Sequence, residues 1–216
     1  MQVTLHDVKY HAFQLNFMGR KSKSEERKPE ILEHFYRVLK KEGYAGATLD
    51  KIAKSMGVNS SLLVHYFKTK EEMMIALVDS ITERYENYFL QKIDRFEDPI
   101  ERLKAGLELV FSKEWTTVVD ANVFYGPCLD LSFRNKRVMN SYRNMFKRLK
   151  EGIDRELALF ARVTGKRNLD VTKTSGIVIS LLEGFHIYSV FLDDKEFSRL
   201  SKNLISFAMD QINLSS

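Results

Sequence analysis

Apolar residues recur at spacings of three and four along most of the chain, the mark of helices that each bury one face. Residues 30–42, EILEHFYRVLKKE, put Ile31, Leu32, Phe35, Val38 and Leu39 on one stripe; Pro29 suits a first helical turn and Gly43 a C-terminal stop. Thr48 reads as the N-cap of a short helix through Met56, with Leu49, Ile52, Ala53 and Met56 facing inward and Gly57 ending it. Asn59 or Ser60 caps the next helix, through about Phe67, and Thr69 with Glu72 forms a capping box opening a long helix to about Phe96. Asp98 and Pro99 start a helix reaching about Trp115, followed by a looser region through DANVFYGPCLDLSF. Residues 136–162 form another long helix, with Val138, Tyr142, Met145, Phe146, Leu149, Ile153 and Leu157 on its buried stripe. Residues 169–192 are apolar around most of the helix circumference, and 196–212 carry Phe197, Leu200, Leu204, Ile205 and Ala208. A helix apolar nearly all round is covered on several sides, by its own domain and by another chain.

The first residues break this pattern. MQVTLHDVKYHAFQLNF shows no sustained period, and Met18 stands directly before a basic arm and the first convincing helix. Residues 1–17 are therefore expected to be an upstream extension or arm, with translation starting at Met18.

Composition narrows the class. A hydrophobic content of 44% fits a folded globular chain of 216 residues, long enough for one large or two modest cores. No apolar run approaches the roughly 18 residues a membrane span needs, and the start lacks a signal peptide's apolar stretch, so the expected location is the cytoplasm and no membrane partner is expected. The single Cys128 makes no intramolecular disulfide and has no zinc-ligand spacing; it reads as a small buried hydrophobe, and neither metal nor cofactor is expected. The net charge of +5 is local: residues 18–70 hold 12 Lys or Arg against 6 Asp or Glu, while residues 71–216 hold 21 against 22. A basic segment on a near-neutral remainder is the footprint of a part that meets phosphates joined to a part that does something else.

The basic segment also carries a recognisable geometry. Three short helices followed by a longer one, with Gly57 at the turn between the second and third, match a helix-turn-helix, whose last helix enters the major groove. Leu49, Ile52, Ala53 and Met56 meet Val58, Leu63 and Phe67, leaving a free face of Ser60, Ser61, Leu62, Val64, His65 and Tyr66. Short polar residues at a helix start approach base edges or phosphates, backbone N–H groups there suit phosphate oxygens, and His65 and Tyr66 hydrogen-bond or stack. Lys68 and Lys70 neutralise phosphates. Thr48 combines a cap with a phosphate contact, and Lys70 stands at a helix start, where the dipole does not favour a cation.

GATLDKIAKSMGVNSSLLVHYFKTKEEM resembles the N-terminal domain of the TetR family of transcriptional regulators, whose signature runs close to T-x-x-x-I-A-x-x-x-G-V-S-x-G-x-L-Y-x-H/Y-F-x-x-K-E-x-L. Thr48, Ile52, Ala53, Gly57, Val58, Leu63, Tyr66, Phe67, Lys70 and Glu71 match it, over about residues 29–77. Asn59 replaces the usual Ser or Thr and caps equally well; Ser61 replaces a common Gly, and Val64 a Tyr that often contacts phosphate, which puts that one contact in question. LLEGFHIY stands where the family often shows Glu-Gly in its dimerising helix. The resemblance implies an all-α fold: a helix-turn-helix DNA-binding domain, residues 18–70, joined by a long helix to a helical effector-binding and dimerisation domain, residues 71–216. It implies a homodimer that binds a partly palindromic double-stranded operator with Thr48, Asn59, Ser60, Ser61, Leu62, Val64, His65, Tyr66, Lys68 and Lys70, represses nearby genes and is released by a small molecule.

In the second domain, Phe111, Trp115, Phe124, Tyr125, Met139, Tyr142, Phe146 and His186 are the expected effector-lining residues, although aromatic stripes at helical spacing also pack plain cores. Their composition points to an apolar effector. Ile177, Leu181, Gly184, Phe185, Tyr188, Leu204 and Phe207, on the last two helices, are the expected dimer contacts, with Gly184 permitting close approach. His186 and Glu183 lie one turn apart, either as a polar pair in that contact or as ligand contacts. A small helical enzyme is the competing class, but the chain holds no P-loop, nucleotide fingerprint, H-E-x-x-H or nucleophile elbow, and Asp193 with Asp194 is explained by capping at a helix break. An interaction protein with a degenerate helix-turn-helix is the third class, which Val64 keeps open and Ser60, His65, Tyr66 and Lys70 oppose.

Overall fold

The computed structural model describes residues 23–119 and 123–214, and all their regular structure is helical. The expected extension, residues 1–17, lies outside the described residues. In chain order the elements are α1 (Lys23–Gly46), α2 (Leu49–Met56), α3 (Ser60–Tyr66), α4 (Lys70–Ile93), α5 (Pro99–Val110), α6 (Lys113–Val118), a π-helical turn (Phe124–Cys128), α7 (Leu129–Arg134), α8 (Lys136–Thr164), α9 (Val171–Ser189) and α10 (Asp194–Leu214). Among the described residues no helix is long and apolar enough to cross a membrane.

Short polar side chains set most of the helix starts. Asp98 accepts from the Ile100 N–H at 3.0 Å, Asn135 from Arg137 at 2.9 Å and Asp170 from Lys173 at 3.0 Å. Each satisfies a donor that the helix itself leaves open, which contributes roughly 1 kcal/mol. Asp193 accepts from the N–H groups of Lys195 and Glu196, and Glu196 accepts back from the Asp193 N–H at 3.1 Å, a reciprocal cap that accounts for the paired acids.

Three boundaries differ from those expected. Helix α1 begins at Lys23, so Pro29 lies inside it rather than in its first turn, and Gly43, at φ 69°, interrupts the helical backbone near its end. The expected helix to Trp115 is two helices: Ser112 leaves the helical path and its hydroxyl accepts from the Trp115 N–H at 3.0 Å, restarting the chain as α6. The looser region contains the π-helical turn and α7, with Pro127 inside the turn and Gly126 off helical geometry.

The chain divides into two compact units. In the described residues the first comprises 23–81 and 123–142, and the second 82–119 and 143–214, so the boundaries fall within α4 and α8. The unit that holds the helix-turn-helix thus extends past residue 70. Ile31, Phe35 and Leu39 of α1, Ile52 of α2, Leu63 of α3 and Met73 and Met74 of α4 are all buried in it, as are Cys128, Val138 and Tyr142. The Cys128 thiol sits 3.4 Å from the Met74 sulfur, and burial pushes its pKa up to about 12, keeping it a neutral apolar group.

The second unit has its own core. Phe185 of α9 packs its ring 5.3 Å from Phe111 and 5.1 Å from Phe197, and Trp115 lies 6.0–6.2 Å from Tyr85, Tyr88 and Phe89. Polar groups pin this core at its edges. Arg102 donates to both oxygens of the buried Glu156, at 2.8 and 3.1 Å, and reaches Asp94 at 2.8 Å, while the Ser201 hydroxyl donates to the Phe111 carbonyl at 2.7 Å. The forked pairing supplies charge-assisted bonds to a carboxylate that would otherwise be buried alone.

Candidate nucleic-acid interface

The turn between α2 and α3 is built by its glycine. Gly57 adopts φ 68° and ψ 30°, a left-handed conformation that side chains resist, and its N–H donates to the Lys54 carbonyl at 3.2 Å while the Val58 N–H donates to Ala53 at 3.0 Å. This is a Schellman stop, and it reverses the chain within a few residues. Asn59 then accepts from the Ser61 N–H at 2.9 Å and opens α3. At the start of α2, Thr48 accepts from the Lys51 N–H at 3.3 Å.

Burial decides which side of α3 is presented. Leu63 and Phe67 are buried, so Ser61, Val64 and His65, one helical turn apart, face solvent, with Lys68 exposed just beyond the helix end. Ser60, Leu62 and Tyr66 are half-buried along the edges. The His65 ring stands edge-on to Tyr66, centroids 5.2 Å apart. Exposed Lys28, Lys51 and Lys54 add positive charge to the same unit, Lys51 being paired with Glu42 at 2.9 Å. His34 Nδ1 to the Ser55 hydroxyl at 2.8 Å also ties α1 to α2, and the Lys28 ammonium lies 5.7 Å over the ring of Phe67, just past α3. The result is a narrow convex stripe of small, polar and cationic groups backed by an apolar seam, a shape and chemistry suited to a major groove.

Lys70 behaves differently from Lys68. Its ammonium donates to the Tyr44 carbonyl at 2.6 Å and lies 4.1 Å over the Tyr44 ring, so the cation at a helix start is explained by an internal partner. Burial and the nearby Glu71 carboxylate push the Tyr44 phenol up to about 12. Glu72 accepts from the Lys68 N–H at 3.0 Å, and Thr69 accepts from the Glu72 N–H at 3.1 Å. The capping box is thus shifted by one residue, and it fixes the backbone from which Lys68 projects.

Two family models match this chain: the tetR family of bacterial regulatory proteins over residues 31–77, and the tetracyclin repressor-like C-terminal domain over residues 98–212. The chain belongs to the TetR family. Among curated relatives, the nucleoid occlusion factor SlmA of Vibrio campbellii is 26% identical over 129 residues, 59% of this chain and 65% of that protein, so less than two thirds of the relative's length is matched. Among solved structures, a TetR transcription regulator from Haloarcula marismortui superposes with a TM-score of 0.70 at 18% identity, covering 88% of this chain and 98% of that one. A protein from Saccharomonospora viridis solved in complex with choline gives 0.71 at 16% identity, covering 85% and 95%. The family is one of bacterial regulatory proteins, not one of enzymes.

The expected effector residues of this regulator fall in both compact units. Tyr125, Met139 and Tyr142 belong to the first, and Phe111, Trp115, Phe146 and His186 to the second; the Phe124 side chain lies outside the described residues. Phe111 and His186 are brought to the same ring, Phe185, whose centroid is 6.3 Å from the imidazole. Burial pulls the His186 pKa down to about 4, so the ring is neutral at pH 7. Trp115 is buried among three aromatics of α4.

The dimer residues need one correction. Helix α9 carries two stripes: Val178, Leu182 and Phe185 are buried, whereas Ile177 and Leu181 are half-buried and Gly184 and Tyr188 exposed. Phe185 is buried in the core, against which Leu181 and Leu204 also pack in part, so it is not available to a second copy. The spacing of four then three from Val178 was the signal that separates the stripes. On α10, Leu204 is half-buried and Phe207 exposed. Sequence reasoning had no signal for Ile187, Val190 and Phe191, which are also exposed.

Proposed function

We propose that this regulator is a homodimeric repressor that reads a partly palindromic operator with α3 of each protomer and is released by a small, apolar effector. The observation that carries the reading is the exposed Ser61, Val64, His65 and Lys68 stripe on a helix locked by Gly57 and Asn59. Residues 18–70 supply the DNA contacts and residues 71–216 the effector and dimer contacts, and the site of action is the cytoplasm, where the chromosome is. Dimerisation is supported by the half-buried to exposed apolar side chains of α9 and α10, among them Ile177, Leu181, Tyr188, Leu204 and Phe207, which a second copy would cover. An apolar effector is supported by the aromatic groups around Trp115 and Phe185.

The coupling has a geometric basis. Two recognition helices enter successive major grooves only when about 34–36 Å apart, or a multiple of that. Only residues 67–69 separate α3 from α4, so an effector that favours a displaced α4 favours a separation the operator rejects, by the difference in its affinity for the two states.

The test is a titration of labelled DNA from upstream of the protein's own gene, by fluorescence anisotropy at several salt concentrations, beside a scrambled duplex of equal length. A preference that persists at physiological salt is expected. Equal and fully salt-sensitive binding to both duplexes would leave only nonspecific electrostatics and favour the degenerate helix-turn-helix.

A further inference from the structure

Val64 is out of keeping with its surroundings. It is 48% exposed on the outward stripe of α3, one turn from Ser61, beside His65 and one turn before Lys68. The buried side of the helix is already filled by Leu63 and Phe67, so Val64 is not one of the residues that make the seam beneath. A β-branched residue is also an indifferent helix former, and an uncovered one in a seven-residue helix adds little to the free protein's stability.

The major groove limits what an apolar side chain on this stripe can meet. Base edges there present hydrogen-bond acceptors and donors, and the one apolar group of ordinary DNA is the C5-methyl of thymine. A valine facing guanine, adenine or cytosine would cover a polar edge without bonding to it, which costs affinity; facing thymine, it removes two apolar surfaces from water. Ser60 and Ser61, short residues one turn earlier, let the helix seat closely enough for a short side chain to reach the base edge. We infer that Val64 reads the 5-methyl group of one thymine in each operator half-site and thereby sets base preference at that position. This rests on α3 being the groove-reading helix, as proposed above.

The test separates the two claims. Duplexes bound by the full-length protein are selected from a randomised library. In the selected duplex each thymine and its symmetry mate are then replaced by deoxyuridine, which keeps the base pair and every hydrogen-bonding group and deletes only the methyl. Affinities are measured by anisotropy for the wild type and for Val64→Ala, whose helix content is checked by circular dichroism. One symmetric pair of replacements is expected to weaken the wild type by roughly fourfold per half-site, the loss of one buried methyl, and to leave Val64→Ala unchanged. If the selected sequence is bound specifically yet no thymine shows a larger uracil effect in the wild type than in Val64→Ala, the valine does not read a methyl. If selection enriches no sequence, α3 is not a reader at all and the role of Val64 falls with it.

Discussion

Helix α3 turns Ser61, Val64 and His65 to solvent, whereas the end of α9 and the residues just past it turn out Ile187, Tyr188, Val190 and Phe191, the last 78% exposed. Both surfaces lie uncovered in the single chain, and they ask for opposite partners. A polar, cationic stripe is well solvated alone and gains by releasing counterions from phosphate. An apolar patch is poorly solvated alone and gains by leaving water. The contrast assigns salt-sensitive recognition to the first surface and salt-tolerant association, here proposed as dimerisation, to the second.

The largest effect should come from charging the apolar surface. Tyr188→Asp with Phe207→Asp is expected to give a monomer by sedimentation, and with it a fall in operator affinity on the order of 10²–10⁴-fold, because each half-site then binds without its tethered neighbour. A double variant that stays dimeric would move the interface elsewhere.

His186 probes the core behind that surface. Its pKa is lowered to about 4 by burial, so the unfolded chain takes up a proton near pH 6.5 before the folded chain does, and stability is lost as pH falls from about 6.5 to 4. The full loss is roughly 3 kcal/mol. Urea unfolding at pH 7 and pH 4 should show wild type losing that much more than His186→Leu; parallel losses would place the imidazole in a solvated setting.

On the reading helix, His65→Ala is expected to weaken operator binding about tenfold while dimer mass and helix content stay unchanged. Tyr66→Ala should act in the same direction. Unaltered binding in both would take the contact away from α3.

The smallest effect is the sharpest comparison. Lys68→Ala should lower the salt slope of operator binding by about 1 for each protomer, as expected for one lost phosphate contact. Lys70→Ala should leave that slope unchanged and instead lower stability by about 1 kcal/mol, through loss of its bond to the Tyr44 carbonyl. A matching fall in slope for Lys70→Ala would show that the clamp opens on DNA.

Legibility in the sequence followed the range of the interactions. Thr48, Gly57 and Asn59 announced their roles because capping and turn formation depend on residues within four positions, and the structure keeps each of them there. Phe185 was misplaced because α9 is apolar on two stripes, and only packing against Phe111 and Phe197 says which one is core. Ser112 was missed as a helix start because the apolar spacing runs across it without a break. Residues 123–142 had no local signal for joining the first unit, since the contacts of Cys128 with Met74 span fifty-four positions.

The sequence alone settled that the chain is helical, where the helices capped by Thr48, Asn59 and Asp98 begin and that it carries the family's helix-turn-helix, because hydrophobic period, caps and a short motif are encoded in neighbouring residues. Tertiary structure decided that Lys70 is clamped while Lys68 is exposed, that Phe185 is core while Tyr188 is surface, and that α3 shows Val64 to solvent. Those outcomes turn on which distant side chain covers which face, and burial is a property of the folded chain.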